Sequence, residues 1–310
     1  MSLSTETKPI DKPKISIGMP VYNGEQTIRK ALDSLLAQTF QDFELIISDN
    51  ASTDATSSIC KEYAQKDKRI RYIHQEKNMG ASWNFNFVLG EAKYDYFVWA
   101  AADDFWHPNF LEKNINVLLS EKNAVGSISK VEYQGIKTRN LKSDVRNSSL
   151  RNFLRKISRS LRSATFPISG PYEKKARSYL KSGQCHIFYG IYRTDKLRNS
   201  FIHETFIGID WAIVLNALKY GDFHEVDEVL MYRFERGVSY GGIINLSRRF
   251  NSGFLGIIFP YYPFTFWCAK HFGLKLFLKN LDRFILLNFE GGLSILVDLI
   301  LLLKKTISKK

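Results

Sequence analysis

Residues 14–50 read KISIGMPVYNGEQTIRKALDSLLAQTFQDFELIISDN, and this stretch decides the fold class. KISIGMPV is a short apolar run that predicts a strand. EQTIRKALDSLLAQ sets Ile28, Leu32, Leu35 and Leu36 on one helical face, and FELIISDN is a second apolar strand that ends in acidic and amide residues. Strands that are apolar on both faces and joined by a helix belong in a parallel sheet covered by helices.

The alternation continues outward. STDATSSICKEYAQK predicts a helix with Ser52 as its cap, and IRYIHQ a third strand. A helix over residues 81–91, a strand YDYFVWA, a helix starting near Pro108 and a strand AVGSISKVEY follow. Residues 137–177 turn basic, with Arg146, Arg151, Arg155, Lys156, Arg159 and Arg162 at helical spacing, and predict an insertion or lid. CHIFYGIYR then predicts a strand, GIDWAIVLNALKYG a helix ending at Gly221, and EVLMYRFER a last strand. The expectation is an α/β fold with a mostly parallel sheet, flanking helices and a C-terminal apolar helical region. Its parts are a polar leader (1–13), a first half (14–136), a second half (137–240) carrying the basic insertion, and the apolar region (241–310).

Of the 310 residues, 45% are hydrophobic and 14% aromatic, which excludes a disordered chain. The net charge of +13 is uneven, with acids gathered in the first third. A basic surface can meet nucleic acid, anionic lipid or a phosphorylated substrate. No nucleic-acid-binding signature accompanies the charge, and the aromatics lie in apolar stretches rather than among the arginines, so no nucleic acid is expected as a partner. Cys60, Cys185 and Cys268 are scattered and odd in number, which argues against a disulfide framework or a zinc site and fits a reducing cytoplasm. The leader MSLSTETKPIDKPK has no apolar core, so the catalytic part is expected in the cytoplasm.

The segments VYNGE, SDNASTD and AADDFWHP all fall at strand ends, where ligands of such sheets sit, so their polar groups are expected to converge on one crevice. Asp103 and Asp104 are adjacent carboxylates after the apolar FVWAAA and would repel each other without a nearby cation or donor. Asp54 reads equally as a ligand-binding acid and as a helix-start carboxylate complementing the dipole. Pro108 reads as the first turn of a helix, and His107 as a surface or capping residue before it.

The pattern PVYNGE, SDNASTDAT, KNMGAS and AADDFWHP resembles glycosyltransferase family 2 and its GT-A, Rossmann-like fold, closely over the first 125 residues and more loosely as far as GIDW. The resemblance implies an inverting transferase that takes a sugar from a nucleotide-diphosphate donor, a UDP-sugar favoured. It identifies Pro20, Val21, Tyr22 and Asn23 as the first nucleotide-binding loop, with Glu25 after it, and Asp49 as a contact to base or ribose. Asn78 and Gly80 match the pair near the diphosphate, the glycine admitting close backbone approach. Asp103 matches the nucleotide- and metal-binding acid, and with Asp104 implies a bound Mg²⁺ or Mn²⁺. The family's usual Asp-x-Asp is broken here, because its first position is Ala101. Asp210 matches the catalytic base that deprotonates the acceptor hydroxyl, and Trp211 beside it either stacks on a sugar or packs in the core. Arg233, Arg236 and Ser239 follow the last strand, where the family carries basic diphosphate contacts.

The stretch FILLNFEGGLSILVDLILLLKK is interrupted by Asn288, Glu290 and Asp298, which disfavours a membrane crossing. Gly291, Ser294, Asp298 and Lys305 recur at helical spacing as a narrow polar stripe, leaving Ile295, Leu296, Leu299, Ile300 and Leu303 around the remainder. With Lys304, Lys305, Lys309 and Lys310 at its end, this predicts a helix lying on a membrane surface. The competing reading is a core helix packed on the catalytic domain. A peripheral enzyme on the cytoplasmic face of the cell membrane would use a lipid-linked or saccharide acceptor. Transfer to polyprenyl phosphate and a non-catalytic nucleotide-sugar binder are the alternatives.

Overall fold

The computed structural model describes residues 13–134, 166–234, 250 and 253–307. Residues 1–12 of the leader, the arginines and lysine over 146–162, Arg236, Ser239, Lys309 and Lys310 lie outside the described residues. Among the described residues eight strands form one sheet: β1 (Ile15–Val21), β2 (Phe43–Asp49), β3 (Ile70–His74), β4 (Tyr96–Trp99), β5 (Phe105–Trp106), β6 (Ala124–Gln134), β7 (Ile191–Arg193) and β8 (Asp222–Phe234). Their spatial order is β3-β2-β1-β4-β7-β6-β8-β5. β1 pairs in parallel with β2 and β4, and β2 with β3. The far half mixes a parallel β6–β8 pair with antiparallel β4–β7, β6–β7 and β5–β8 pairs, so four of the seven pairings are parallel.

The first-half helices are α1 (Ile28–Leu36), α2 (Thr56–Lys66), α3 (Ala81–Gly90) and α4 (Phe110–Ser120). All of β2 and nearly all of β1 is buried, as apolar strands with helices on both faces require. On α1, Ile28, Ala31, Leu32 and Leu35 are buried, while Leu36 is only partly covered. Register aligns Val21 with Asp49 and Asp49 with His74, so three strands end at one level.

The second half adds α5 (Tyr172–Ser182), α6 (Thr194–Arg198) and α7 (Ile209–Ala217). The strand expected over CHIFYGIYR is corrected in its first part. Cys185–Tyr189 is a 3-10 turn, and only Ile191–Arg193 is strand. In the turn the consecutive residues Ile187 and Phe188 are both buried. Phe188 stacks on Trp99 with centroids 4.1 Å apart. The helix expected to reach Gly221 ends at Ala217 and continues as turns.

The C-terminal helices are α8 (Gly253–Ile258), α9 (Tyr262–Phe272), α10 (Leu274–Lys279) and α11 (Leu281–Ile307). Among them α9 packs on α7, whose buried set Trp211, Ala212, Ile213, Val214, Leu215 and Ala217 covers every side of the helix. Trp211 stacks on Tyr261 (5.9 Å, 17°) and meets Phe264 edge-on (5.8 Å, 90°), so its core role holds. The polar stripe expected on α11 is corrected too. Gly291 and Asp298 are buried on the packed side with Phe284, Leu287 and Ile295, whereas Leu296, Leu299 and Ile300 are exposed. The small Gly291 is needed there because a Cβ on it would come within 2.7 Å of Pro260.

Candidate active site

The crevice is built where β1, β2 and β4 end. Pro20 and Val21 are the last residues of β1, Val21 buried, and Tyr22 stands half-exposed just beyond. The loop turns at Asn23 through a left-handed φ of 51°. Its side chains are spent on the neighbouring loop: Thr53 N donates to Asn23 Oδ1 (2.8 Å), and Ala55 N to Glu25 Oε2 (2.9 Å). In return Asn23 N donates to Ser52 Oγ (2.9 Å), Gly24 N to Thr56 Oγ1 (2.8 Å) and Glu25 N to Asp54 Oδ2 (3.1 Å). Ser52 is therefore a loop tie rather than the cap of α2, which starts four residues later without a side-chain cap. Asp54 accepts from Thr56 N as well (3.0 Å), and these donors hold its carboxyl below the ordinary range against the opposing effect of burial. Its helix-start role is thus accounted for.

Asp49 is fully buried at the end of β2. It accepts from Ser52 N (2.9 Å) and Tyr72 Oη (2.8 Å), and His74 Nδ1 lies 3.2 Å from it. His74 is half-exposed, so the residue open to a ligand at this point is the histidine in front of the acid. Tyr72 and His74 are two apart on β3 and share one face, a period-2 signal present in IRYIHQ. The buried Asn50 holds the next loop. It donates to Asn78 Oδ1 (2.9 Å) and Gly80 O (3.2 Å) and accepts from Met79 N (2.9 Å). Gly80 caps α3 at φ 88° and ψ 161°, a conformation open to glycine alone, and a Cβ there would meet nothing within 4 Å. No atom therefore covers the Cβ side of Gly80 at the N-terminus of α3.

Asp103 and Asp104 follow β4, and they differ. Asp104 is buried, with a 1% exposed side chain, and accepts from Arg233 Nε at 3.0 Å. The antiparallel β5–β8 register pairs Phe105 with Tyr232, which sets Asp104 opposite Arg233. The guanidinium also lies 4.3 Å from the Tyr189 ring centroid. Asp103 is partly exposed. His107 is exposed, and Pro108 precedes α4 by two residues.

Asp210 stands in the first turn of α7, after Gly208 at φ 94°. Asp210 is partly exposed by its surface, yet the protein packed around its carboxyl desolvates it and raises its pKa to about 6, opposed by the N–H groups of Trp211 and Asp210 and by the charge of Arg233. That value suits a base at neutral pH. The Tyr189 hydroxyl is pushed up by burial and by Asp104, Asp210 and Asp103, with Arg233 opposing. One electrostatic cluster thus joins Asp103, Asp104, Arg233 and Asp210, with the turn Cys185–Tyr189 running through it. His186, on the same turn, is driven down to about 4 by burial and by Arg233, and is neutral at physiological pH. Neither Tyr189 nor His186 was expected from the sequence, because a segment read as strand gave no reason to aim them at the crevice.

Among the described residues no three ligand side chains gather to hold a metal. The cluster offers a cation Asp103, with Asp104 already held by Arg233. That donor set fits Mg²⁺ or Mn²⁺, which take most ligands from substrate phosphates and water.

Residues 16–190 match the family model described as glycosyl transferase family 2. An uncharacterized glycosyltransferase of Rickettsia felis is 35% identical over 138 residues, 43% of this chain and 22% of that protein, so the chain spans under a quarter of this relative's length. Among solved structures, S. aureus TarS 1-349 in complex with UDP-GlcNAc superposes with TM-score 0.55 at 17% identity, over 88% of this chain and 80% of that one. The mannosyltransferase PcManGT from Pyrobaculum calidifontis, in complex with GDP-Man and Mn²⁺, gives TM-score 0.55 at 14% identity over 97% and 89%. At such identities the likeness establishes the GT-A fold.

Proposed function

The chain belongs to glycosyl transferase family 2, and from that premise we propose that it moves a sugar, with inversion, from a nucleoside-diphosphate donor to an acceptor hydroxyl. The observation that carries the reading is Asp210, a carboxylate raised to about 6 and in electrostatic contact with Arg233, which itself holds Asp104. Asp210 takes the proton as the acceptor oxygen attacks the anomeric carbon, and the bond from that carbon to the diphosphate breaks in the same displacement. Arg233 and the N-terminus of α3 supply positive potential to the departing diphosphate. Asp103 would hold a divalent cation, Mg²⁺ or Mn²⁺, which would neutralise charge on the diphosphate.

We favour a UDP-sugar as donor, in line with the UDP-GlcNAc bound by TarS, although PcManGT holds GDP-Man. His74 before Asp49, and Tyr22, line the nucleotide side. A lipid-linked saccharide is the acceptor we favour. The test offers purified protein a panel of UDP-, GDP- and dTDP-sugars, with Mn²⁺ or with chelator, and reads nucleoside-diphosphate release and the anomeric configuration of the product. Metal-dependent release with an inverted product is expected. Binding of a donor without turnover, with lipid extract supplied as acceptor, would replace the enzyme by a nucleotide-sugar binder.

A further inference from the structure

α11 has two faces. Phe284, Leu287, Gly291, Ile295 and Asp298 are buried against the rest of the molecule. Leu281, Ile285, Phe289, Leu296, Leu299 and Ile300 are exposed, Ile285 at 63% and Phe289 at 66%. At 100° per residue these six fall within an arc of about 100°. Solvent therefore meets a continuous apolar stripe on the side opposite the packed one.

The stripe does not stand alone. α11 crosses the start of α9, where Asn288 Nδ2 donates to Thr265 Oγ1 (2.7 Å) and Gly291 sits on Pro260 and Tyr261. Beside this crossing Phe259, Tyr262 and Phe266 are exposed, Phe266 at 61%. Leu274 and Leu278 on α10 are exposed as well, at 74% and 54%. Large apolar side chains left open on three packed helices exceed the scattered exposure of an ordinary surface. Exposed lysines border them: Lys270 follows Phe266 by one helical turn, and Lys275 adjoins Leu274. The nearby acid Asp282 is already engaged by Arg177 (3.0 Å) and Arg283 (3.0 Å). No helix among the described residues is long and apolar enough to cross a membrane. An aromatic and aliphatic face bordered by lysines matches the boundary between acyl chains and anionic headgroups.

We propose that the exposed apolar face of α9, α10 and α11, bordered by Lys270 and Lys275, seats the protein on the surface of an anionic lipid bilayer with α11 in the plane of the interface. The seat is mechanically continuous with the base. Tyr261 and Phe264 of the same unit pack on Trp211, the neighbour of Asp210, and Gly208 at the start of α7 lies against Phe264. Seating would therefore fix the height of Asp210 above the lipid. That consequence rests on the lipid-linked acceptor proposed above; the seat itself does not.

The experiment is flotation of the purified full chain with phosphatidylcholine vesicles, with and without phosphatidylglycerol. Two variants accompany it, F266S/F289S and K270E/K275E, both at exposed positions and both checked for an unchanged circular-dichroism melt. Donor binding by each variant is read separately, so that failure of the seat and failure of the transferase reading are distinguishable. The native chain is expected to float with anionic vesicles about tenfold more strongly than with neutral ones. F266S/F289S should lose at least about tenfold in partition, and K270E/K275E should lose the preference for anionic lipid, with donor binding intact. A native chain that stays with neither vesicle, or floats equally with both, overturns the proposal. So does a native dimer in sedimentation equilibrium that F266S/F289S turns into monomer without any effect on flotation, since a second copy would then be the occupant.

Discussion

Arg233 Nε lies 3.0 Å from Asp104 Oδ2, a contact that separates two adjacent acids into different jobs. Asp104 is a buried, paired anion, and Asp103 is partly exposed. The two substitutions should therefore part company. Asp103→Asn is expected to raise the Mn²⁺ concentration needed for half-maximal activity at least about tenfold with little change in melting temperature. Asp104→Asn should act mainly on stability. Metal titrations of nucleoside-diphosphate release beside thermal melts check this, and equal metal dependence of the two variants would contradict it.

Removing the partner gives a second test. Arg233→Met leaves Asp104 buried without its cation, and breaking a buried pair in this way costs roughly 3 kcal/mol. The double variant D104N/R233M should recover most of that loss, because no unpaired charge remains. Chemical denaturation of the two variants measures the difference.

Asp210 ties activity to stability. Its pKa of about 6 in the folded chain stands above the ordinary carboxylate value, so between about pH 4 and pH 6 the folded state holds a proton that the unfolded state has released. Its contribution to stability therefore falls as pH rises through that window. At neutral pH Asp210→Asn should melt higher than the native chain, and below about pH 4 the two should converge. Activity should run the other way, rising with pH through a midpoint near 6, since only the carboxylate accepts a proton. A melt of Asp210→Asn no higher than native at neutral pH would remove the burial argument.

Gly80 tests the loop proposed to lie near the diphosphate. A Cβ there meets nothing within 4 Å, so any effect of Gly80→Ala comes from backbone conformation at φ 88° and ψ 161°. The expected cost is about 1–3 kcal/mol, appearing as a weaker donor KM with kcat nearly kept as the loop shifts. Asn50→Ala removes the clasp on the same loop and should raise the donor KM in the same way, whereas a kcat effect alone would point elsewhere.

The parallel half of the sheet was legible because residues 14–50 state its period twice. The strand ends could also be read, since acids and amides stop each apolar run. The partners inside the site were not. Arg233 meets Asp104 across 129 residues through the two-residue strand β5, too short to leave a pattern. The turn Cys185–Tyr189 reads as strand because CHIFY is largely apolar and aromatic, and its partner in the fold, Trp99 stacked on Phe188, lies far away in the sequence. On α11 the small and polar residues suggested the wet side. Packing reversed this: Gly291 is what a close helix crossing requires, so the apolar stripe was left outside.

Asp210 is proposed as the base of a nucleotide-sugar transferase. The most direct measurement compares metal-dependent nucleoside-diphosphate release by the native chain and by Asp210→Asn, with donor affinity measured on both. Turnover should fall at least about 100-fold in the variant, with donor affinity unchanged. Equal turnover of the two proteins would contradict it.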